Sequence, residues 1–227
     1  MAVSAVLAAR RLSSGYQGVA AIEDVDLEVG AGEMVLLAGP NGAGKSTTVM
    51  TLAGAIPPLA GHVEIDGRVT RVPLFRRVRA GLGVVTEERS VFMNLTVAEN
   101  IRLGRTDVGR VLEVFPELEK RLDVKAGAIS GGEQQMLSVG RVLASRRKAI
   151  LADELSLGLA PIVVKRLLDA LRRAADAGAA VLLVEQHVRV ALDVVDRGYF
   201  LRRGHVELEG TQDELRRSDD RIQQIYL

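Results

Sequence analysis

The segment with the clearest chemical potential is rich in glycine and ends in a lysine followed by two hydroxyl residues. Residues 39–47 read GPNGAGKST; they follow the apolar run 34–38 and open a helical-looking segment, residues 47–52. This G-x-x-x-x-G-K-S spacing between a strand and a helix is typical of loops that bind phosphate groups. Glycines let backbone N–H groups turn towards phosphate oxygens, and the N-terminus of the following helix adds to the same pocket. We therefore predict a phosphate-binding loop made of Gly39, Pro40, Asn41, Gly42, Ala43, Gly44, Lys45, Ser46 and Thr47.

Two side chains of this loop carry the expected chemistry. Lys45 is positioned to reach the β- and γ-phosphates of a nucleoside triphosphate, and the Ser46 hydroxyl to bind Mg²⁺. The alternative is an ordinary glycine-rich turn between a strand and a helix, with an incidental lysine. The match at five specified positions, between the correct flanking elements, favours nucleotide binding.

Two adjacent carboxylates follow a second buried strand. Residues 149–152 are apolar and lead directly into Asp153 and Glu154. Open α/β sheets bind ligands at the carboxyl ends of their strands, beside such a phosphate loop. Asp153 could hold Mg²⁺ directly or through water, and Glu154 could accept a proton from the water that attacks the γ-phosphate. An Asp-Glu pair after a strand is also a common helix cap, but the nearby loop favours the catalytic interpretation.

A third group of polar residues opens a helix. Residues 129–135 read ISGGEQQ, in which Ser130 and Glu133 have the spacing of an ordinary capping box. Gly131 and Gly132 weaken the first turn by roughly 1 kcal/mol each. A helix start that approaches a phosphate closely would need such glycines, whereas a bare cap would not.

Tyr16 lies in a predicted loop, residues 13–18. Its ring could stack on a nucleobase, or it could cover the edge of a sheet, and the spacing alone does not separate the two.

The elements that position these groups alternate between strand and helix. Apolar patterns predict strands at residues 3–8, 22–29, 62–67 (ending in an Asp-Gly turn), 81–85, 149–152 and 179–184, and a hairpin over 198–209 that turns at Arg203 and Gly204. Helices are predicted over residues 96–103 and 108–119 and from Pro161 to Gly178. Capping boxes at Thr96-Val-Ala-Glu99 and Thr211-Gln-Asp-Glu214 open the first of these and a last short helix. The layout predicts an α/β fold with a mainly parallel core sheet, an N-terminal antiparallel part, and a helical subdomain inserted at about residues 87–145.

Composition limits the possible partners and compartments. The 227 residues predict one domain, 1–227, and the 30 basic and 29 acidic residues give no footprint for nucleic acid. The absence of cysteine excludes thiolate metal sites. No run of apolar residues is long enough to span a membrane, and the two arginines after residues 1–9 are in the wrong order for a secretory signal. We therefore expect a cytoplasmic protein that reaches a membrane only through a partner.

Taken together, these segments resemble a known family. Residues 39–47, residues 130–135 and the pair Asp153 and Glu154 are similar to the Walker A, signature and Walker B motifs of ABC-transporter ATP-binding proteins, and residues 156–161 lie where the D-loop of that family lies. The resemblance covers nearly the whole chain. More narrowly, the chain is similar to the shorter ATPase subunit of branched-chain amino-acid uptake systems at Val184-Glu185-Gln186, Val91-Phe92, Leu95-Thr96-Val97, Glu99-Asn100, Phe115-Pro116 and Leu118.

The resemblance implies an ATPase fold, cofactors and partners. Tyr16 would stack on adenine, and Ser46 with Asp153 would hold Mg²⁺. Ser130, Gly131 and Gly132 would contact the γ-phosphate of ATP bound to a second ATPase subunit, either a second copy or a sister chain. The pair would drive transmembrane permease subunits, supplied by a periplasmic or extracellular solute-binding protein, from the inner face of the membrane.

Two departures from the family pattern affect its site. Glu87 stands where the family has the Q-loop glutamine; it is a candidate Mg²⁺ ligand that would add negative charge to an anionic site. The switch-histidine position falls on Gln186, with His187 next in the chain. Because successive strand residues point to opposite sides, only one of the two is expected to contact the γ-phosphate, and we favour Gln186.

Two other functional classes are alternatives. A soluble ABC-type ATPase that acts on nucleic acid or ribosomes would carry long insertions or tandem halves, which this sequence lacks. The missing N-K-x-D pattern argues against a GTPase, and the signature segment argues against both a GTPase and a P-loop kinase. The solute remains open between branched-chain amino acids, urea, short amides and other amino acids.

Overall fold

Two β-sheets form the frame of the protein, whose computed structural model describes residues 5–86, 88, 90–186 and 188–227. The first is antiparallel, in the order β2-β1-β4-β5. Its strands are β1 (Ala5–Tyr16), β2 (Val19–Gly30), β4 (Ala60–Ile65) and β5 (Arg68–Thr70).

The second sheet has the order β10-β9-β3-β8-β7-β6 and is mainly parallel, since only β10 pairs antiparallel. Its strands are β3 (Met34–Ala38), β6 (Leu82–Val85), β7 (Ala149–Asp153), β8 (Ala180–Val184), β9 (Arg197–Arg202) and β10 (His205–Thr211). Strands β3, β7 and β8 are buried along their whole length, as expected of parallel strands covered on both faces. The predicted α/β class, with a mainly parallel core sheet and an N-terminal antiparallel part, is confirmed.

Helices cover both faces of the central sheet. They are α1 (Lys45–Ala53), α2 (Leu74–Arg79), α3 (Val97–Leu103), α4 (Val108–Val114), α5 (Gly131–Leu143), α6 (Pro161–Asp176), α7 (Val188–Leu192), α8 (Gln212–Arg216) and α9 (Asp219–Tyr226), with 3-10 helices at Pro116–Arg121 and Ala126–Ala128. Alternate residues of β3 belong to two separate apolar clusters: Leu36 packs in one with Leu167 of α6, and Leu37 in the other with Val49 of α1. This division places the phosphate-loop helix and α6 on opposite faces of the sheet.

Three helices begin with the capping boxes that the sequence predicts. In each, the hydroxyl of Thr96, Ser130 or Thr211 accepts a hydrogen bond from the backbone N–H three residues later, and a glutamate side chain accepts one in return. Such caps supply partners for the N–H groups that a helix start leaves unpaired.

Three predictions about these elements are wrong. Residues 13–16 are not a loop: β1 continues through them with shifts of register, because pairing with β2 and β4 overrides the local preference for a turn. The second predicted helix ends at Val114 rather than Glu119, since Pro116 disfavours a helical conformation at Phe115. Another helix, α9, follows the helix capped by Thr211.

Helices α3 to α5 and the two 3-10 helices lie in the chain between β6 and β7.

Within the described ranges, no helix combines the length and apolar character that a membrane crossing requires.

Candidate nucleotide site

Three neighbouring strands of the central sheet deliver the candidate site residues to one edge. β8 lies between β3 and β7, and all three run parallel. The loop of residues 39–47 leaves the carboxyl end of β3, Glu154 follows β7, and Gln186 follows β8. The sheet topology therefore brings together three segments that are far apart in the sequence.

These segments line a cleft of about 520 Å³. Its walls include Asn41, Gly42 and residues 44–47 of the loop, together with Ala21, Glu154, Leu157 and Gln186. Most of the predicted loop, the predicted base and one of the two candidate switch residues thus share one cavity.

The loop backbone needs glycine for two physical reasons. Gly39, Gly42 and Gly44 all have positive φ angles, which side chains other than glycine rarely adopt. A Cβ atom on Gly39 would overlap the carbonyl oxygen of Leu201, and one on Gly44 would overlap the side chain of Ile22. The glycine pattern therefore reflects close packing against β9 and β2 as well as access for phosphate.

Lys45 is buried at the base of the loop and lies across it. Its Nζ donates hydrogen bonds to the carbonyl oxygens of Gly39 at 2.9 Å and Pro40 at 3.2 Å. The same Nζ lies 3.7 Å from Oε1 of Glu154. The ammonium group thus stands between the loop and the carboxylate, with only 4% of the side chain exposed.

Gln186 connects the loop to the predicted base. Its Nε2 donates to Oε1 of Glu154 at 2.9 Å and to Oδ1 of Asn41 at 2.9 Å. The side chain therefore faces the cleft, between the ends of β3 and β7. His187, the other candidate, lies outside the described residues.

The backbone at Glu154 is strained. Its φ angle is +48°, in the left-handed region that a non-glycine residue seldom occupies, and its N–H donates to the carbonyl of Val184 at 3.0 Å. Such conformations cost about 1–3 kcal/mol and are concentrated at functional sites. The strain turns the side chain after β7 towards the cleft, and no sequence pattern indicated it.

The predicted metal ligands are positioned by two different elements. Asp153 is the last residue of β7 and is buried, whereas Ser46 is exposed at the start of α1 and lines the cleft. Among the described residues no group of three or more acidic or histidine side chains could hold a metal ion. A hydroxyl and a carboxylate fit Mg²⁺, which binds oxygen and is usually held by one or two carboxylates together with substrate phosphates. Glu87, the third predicted ligand, lies outside the described residues.

The predicted signature segment is at the exposed end of α5, and it does not line the cleft. Ser130 Oγ accepts from Glu133 N at 3.2 Å, and Glu133 Oε1 accepts from Arg121 Nε at 2.7 Å. Burial alone would raise the pKa of Glu133, but the hydrogen bonds from Arg121 and Ser130 hold it below its ordinary value. Gly132 has a local reason as well, since a Cβ atom there would crowd Val163 at 3.2 Å.

Tyr16 also lies apart from the cleft walls. It is the last residue of β1, is 57% exposed and pairs with Val19 across the hairpin. The ring is therefore available to a ligand and does not cover a buried sheet edge.

Sequence reasoning missed a buried clamp behind the site. Glu185, between β8 and Gln186, accepts hydrogen bonds from the backbone N–H of Ser156 at 3.1 Å and from its hydroxyl. This carboxylate ties the segment after Glu154 to the segment that carries Gln186. The only sequence signal was a charged residue directly after a fully apolar strand.

The geometry described above agrees with comparisons to known proteins. The family model described as ABC transporter matches residues 22–156, a range that includes the loop, the signature segment and both carboxylates. The chain belongs to the ABC transporter family.

Two relatives and a solved structure of this family match nearly the full length of the chain. BraG of Pseudomonas aeruginosa, a high-affinity branched-chain amino acid transport ATP-binding protein, is 39% identical, with 96% of this chain and 97% of BraG covered. LptB of Escherichia coli K12, a lipopolysaccharide export system ATP-binding protein, is 37% identical, with 98% and 97% covered. A dimeric ATP-binding cassette in a post-hydrolysis state, bound to ADP and phosphate, superposes with a TM-score of 0.81 at 26% identity, covering 91% of this chain and 98% of the other. This ABC protein is therefore the ATP-binding subunit of a transporter, and it hydrolyses ATP for transport.

Proposed function

We propose that this ABC subunit powers an importer for branched-chain amino acids. The observation that carries the proposal is its 39% identity to BraG over nearly the full length of both chains. The motif resemblance at Val184-Glu185-Gln186 and at Phe115-Pro116 supports the same assignment.

In this proposal the loop holds the triphosphate of ATP. Lys45 exchanges its present acceptors, the carbonyl oxygens of Gly39 and Pro40, for the β- and γ-phosphate oxygens. The exchange needs little movement because the ammonium group already lies inside the loop. The backbone N–H groups of residues 42–47 complete the cradle, and Tyr16 stacks on the adenine.

The candidate Mg²⁺ ligands come from the loop and from the end of β7. Ser46 and Asp153 would hold it, and Glu87 is a further candidate. When bound, the ion would neutralise charge on the β- and γ-phosphates.

Glu154 acts as the general base for the attacking water. Its Oε1 already accepts a hydrogen bond from Gln186, so the carboxylate is held at the cleft in a fixed orientation. Gln186 and His187 are the candidates to contact the γ-phosphate, and we favour Gln186 because its amide reaches both Glu154 and Asn41. Lys45 and the N-terminus of α1 stabilise the negative charge of the transferred phosphoryl group.

A second ATPase subunit completes the site. Ser130, Gly131 and Gly132 do not line the cleft of their own chain, yet they expose a helix N-terminus of the kind that binds phosphate. The solved dimeric cassette supports pairing of two such subunits. In our proposal, this segment then faces the γ-phosphate bound to the partner. Closure of the pair on two ATP molecules would move a transmembrane permease, with the ATPase on the inner face of the membrane.

The proposal is tested by reconstitution in proteoliposomes with the cognate permease and solute-binding protein. Leucine, isoleucine or valine should stimulate ATP hydrolysis, while urea, acetamide and unrelated amino acids should not. A Lys45→Ala complex supplies the background rate.

LptB gives a second candidate, lipopolysaccharide export, since it is 37% identical over a similar length. Stimulation by lipopolysaccharide without any response to branched-chain amino acids would favour this alternative and refute the import proposal.

A further inference from the structure

Helix α9 contacts the first residue of the phosphate loop. The phenol oxygen of Tyr226, at the end of α9, accepts a hydrogen bond from the backbone N–H of Gly39 at 3.0 Å. The two residues are separated by 187 positions in the sequence.

Gly39 is fixed from three directions. Its N–H donates to Tyr226, and its carbonyl oxygen accepts from Nζ of Lys45 at 2.9 Å. On the third side the carbonyl of Leu201 leaves no room for a Cβ atom. Tyr226 and Lys45 thus hydrogen-bond to the N–H and to the carbonyl oxygen of the same residue.

The helix that carries the tyrosine is anchored in the core. Ile222 and Ile225 of α9 are 7% and 4% exposed, and both belong to the apolar cluster that includes Leu36 of β3. Burial raises the pKa of Tyr226, while its hydrogen bond from Gly39 opposes the rise. The phenol therefore stays neutral at physiological pH and keeps an oxygen lone pair available for the N–H of Gly39.

We propose that Tyr226 is a positioning residue for ATP binding, which holds the first peptide of the loop in the conformation that accepts the triphosphate. The proposal rests on the assignment of residues 39–47 as the nucleotide loop, and it adds the C-terminal helix to the elements that set ATP affinity. Tyr226 itself is not expected to touch the nucleotide.

The proposal predicts an effect on affinity rather than on the chemical step. Without the phenol oxygen, the buried N–H of Gly39 loses its partner, and the binding-competent loop becomes a smaller fraction of the population. Apparent ATP affinity should therefore fall by roughly 5- to 30-fold in Tyr226→Phe. Once ATP is bound, its phosphates hold the loop, so kcat should stay within about twofold of the original value.

The experiment compares three substitutions by steady-state ATP hydrolysis and by hydrogen exchange. Tyr226→Phe removes only the hydroxyl, and Tyr226→Leu removes the ring as well. Tyr199→Phe is the matched control, because its phenol bonds to Glu28 and Arg197 and to no residue of the loop. Measurements are made at a temperature at which circular dichroism shows every variant folded.

The expected result is a raised KM for ATP in both Tyr226 variants and an unchanged KM in Tyr199→Phe. In the Tyr226 variants, amide hydrogen exchange should be faster at Gly39, and any other increase should be confined to the loop and α9. An unchanged KM in Tyr226→Phe, or a loss of kcat at constant KM, would overturn the proposal. Faster exchange throughout the molecule would also overturn it, because it would indicate general destabilisation.

Lys45→Ala separates this inference from the proposed site. If Lys45→Ala abolishes ATP binding and Tyr226→Phe leaves it intact, only the role of Tyr226 fails. If Lys45→Ala binds ATP normally, the assignment of the loop itself fails.

Discussion

Replacing Glu154 with glutamine isolates its role as a base. The side chain accepts a hydrogen bond from Gln186 at 2.9 Å and lies 3.7 Å from Lys45. A glutamine is nearly the same size, and its amide oxygen can keep the bond from Gln186. What the substitution removes is the capacity to accept a proton and the negative charge facing the lysine.

The expected loss follows from these contacts. A positioned general base contributes about 10² to 10⁴ in rate, or roughly 3 to 5 kcal/mol in activation free energy. ATP binding should be unchanged or slightly stronger, since a negative charge near the triphosphate is removed. Glu154→Gln should therefore bind ATP but turn over slowly.

Single-turnover hydrolysis measures the chemical step, and isothermal titration measures ATP binding. Glu207→Gln on β10 is a matched control, because it makes the same change at an exposed carboxylate that does not line the cleft. A single-turnover rate in Glu154→Gln within about threefold of the unmodified protein would refute the assignment of the base. Loss of ATP binding in a folded variant would equally contradict the predicted separation of binding from chemistry.

Three further outcomes follow from the site and its supports. Lys45→Ala should weaken ATP binding at least tenfold, since a buried cation beside the phosphates is lost, and a titration that gives native affinity would contradict this. Gly44→Ala should lower the free energy of unfolding, measured in urea, by about 1–3 kcal/mol or more, because the φ of +105° at Gly44 and the overlap with Ile22 both oppose a side chain. The folded pKa of Glu133 is lowered from 4.5, so its contribution to stability is present above that pH and is lost as pH falls through the folded value. Glu133→Gln keeps the cap but not the charge facing Arg121, so its melting temperature should fall less steeply between pH 7 and pH 3.5 than that of the unmodified protein. Equal falls in melting temperature would count against Glu133 as a source of the acid sensitivity.

Much of the cleft could be predicted from the sequence because its parts follow local rules. The glycine-lysine spacing indicated the loop, and an apolar strand followed by acidic residues indicated the edge of the sheet that holds Glu154. The parallel order of β3, β8 and β7 then brings these segments together. Capping boxes were predicted correctly because a hydroxyl and a glutamate three residues apart suffice to form them.

The parts that the sequence did not reveal depend on contacts between distant segments. The hydrogen bond between Tyr226 and Gly39 joins residues that are 187 positions apart in the sequence, and neither residue type predicts it. The clamp between Glu185 and Ser156 requires the ends of β7 and β8 to be adjacent, which only the sheet order establishes. The early end of α4, by contrast, was available from Pro116, whose effect on the preceding residue should have shortened the predicted helix.

In our proposal, ATP is held between the loop of one subunit and the signature segment of another. Its most direct test is the structure of Glu154→Gln with ATP and Mg²⁺, together with its partner ATPase subunit. We predict that Ser130 Oγ lies at a hydrogen-bond distance, about 3 Å, from a γ-phosphate oxygen of the ATP held by the phosphate loop of the other subunit. An ATP-bound structure in which Ser130 is remote from every nucleotide would contradict the account.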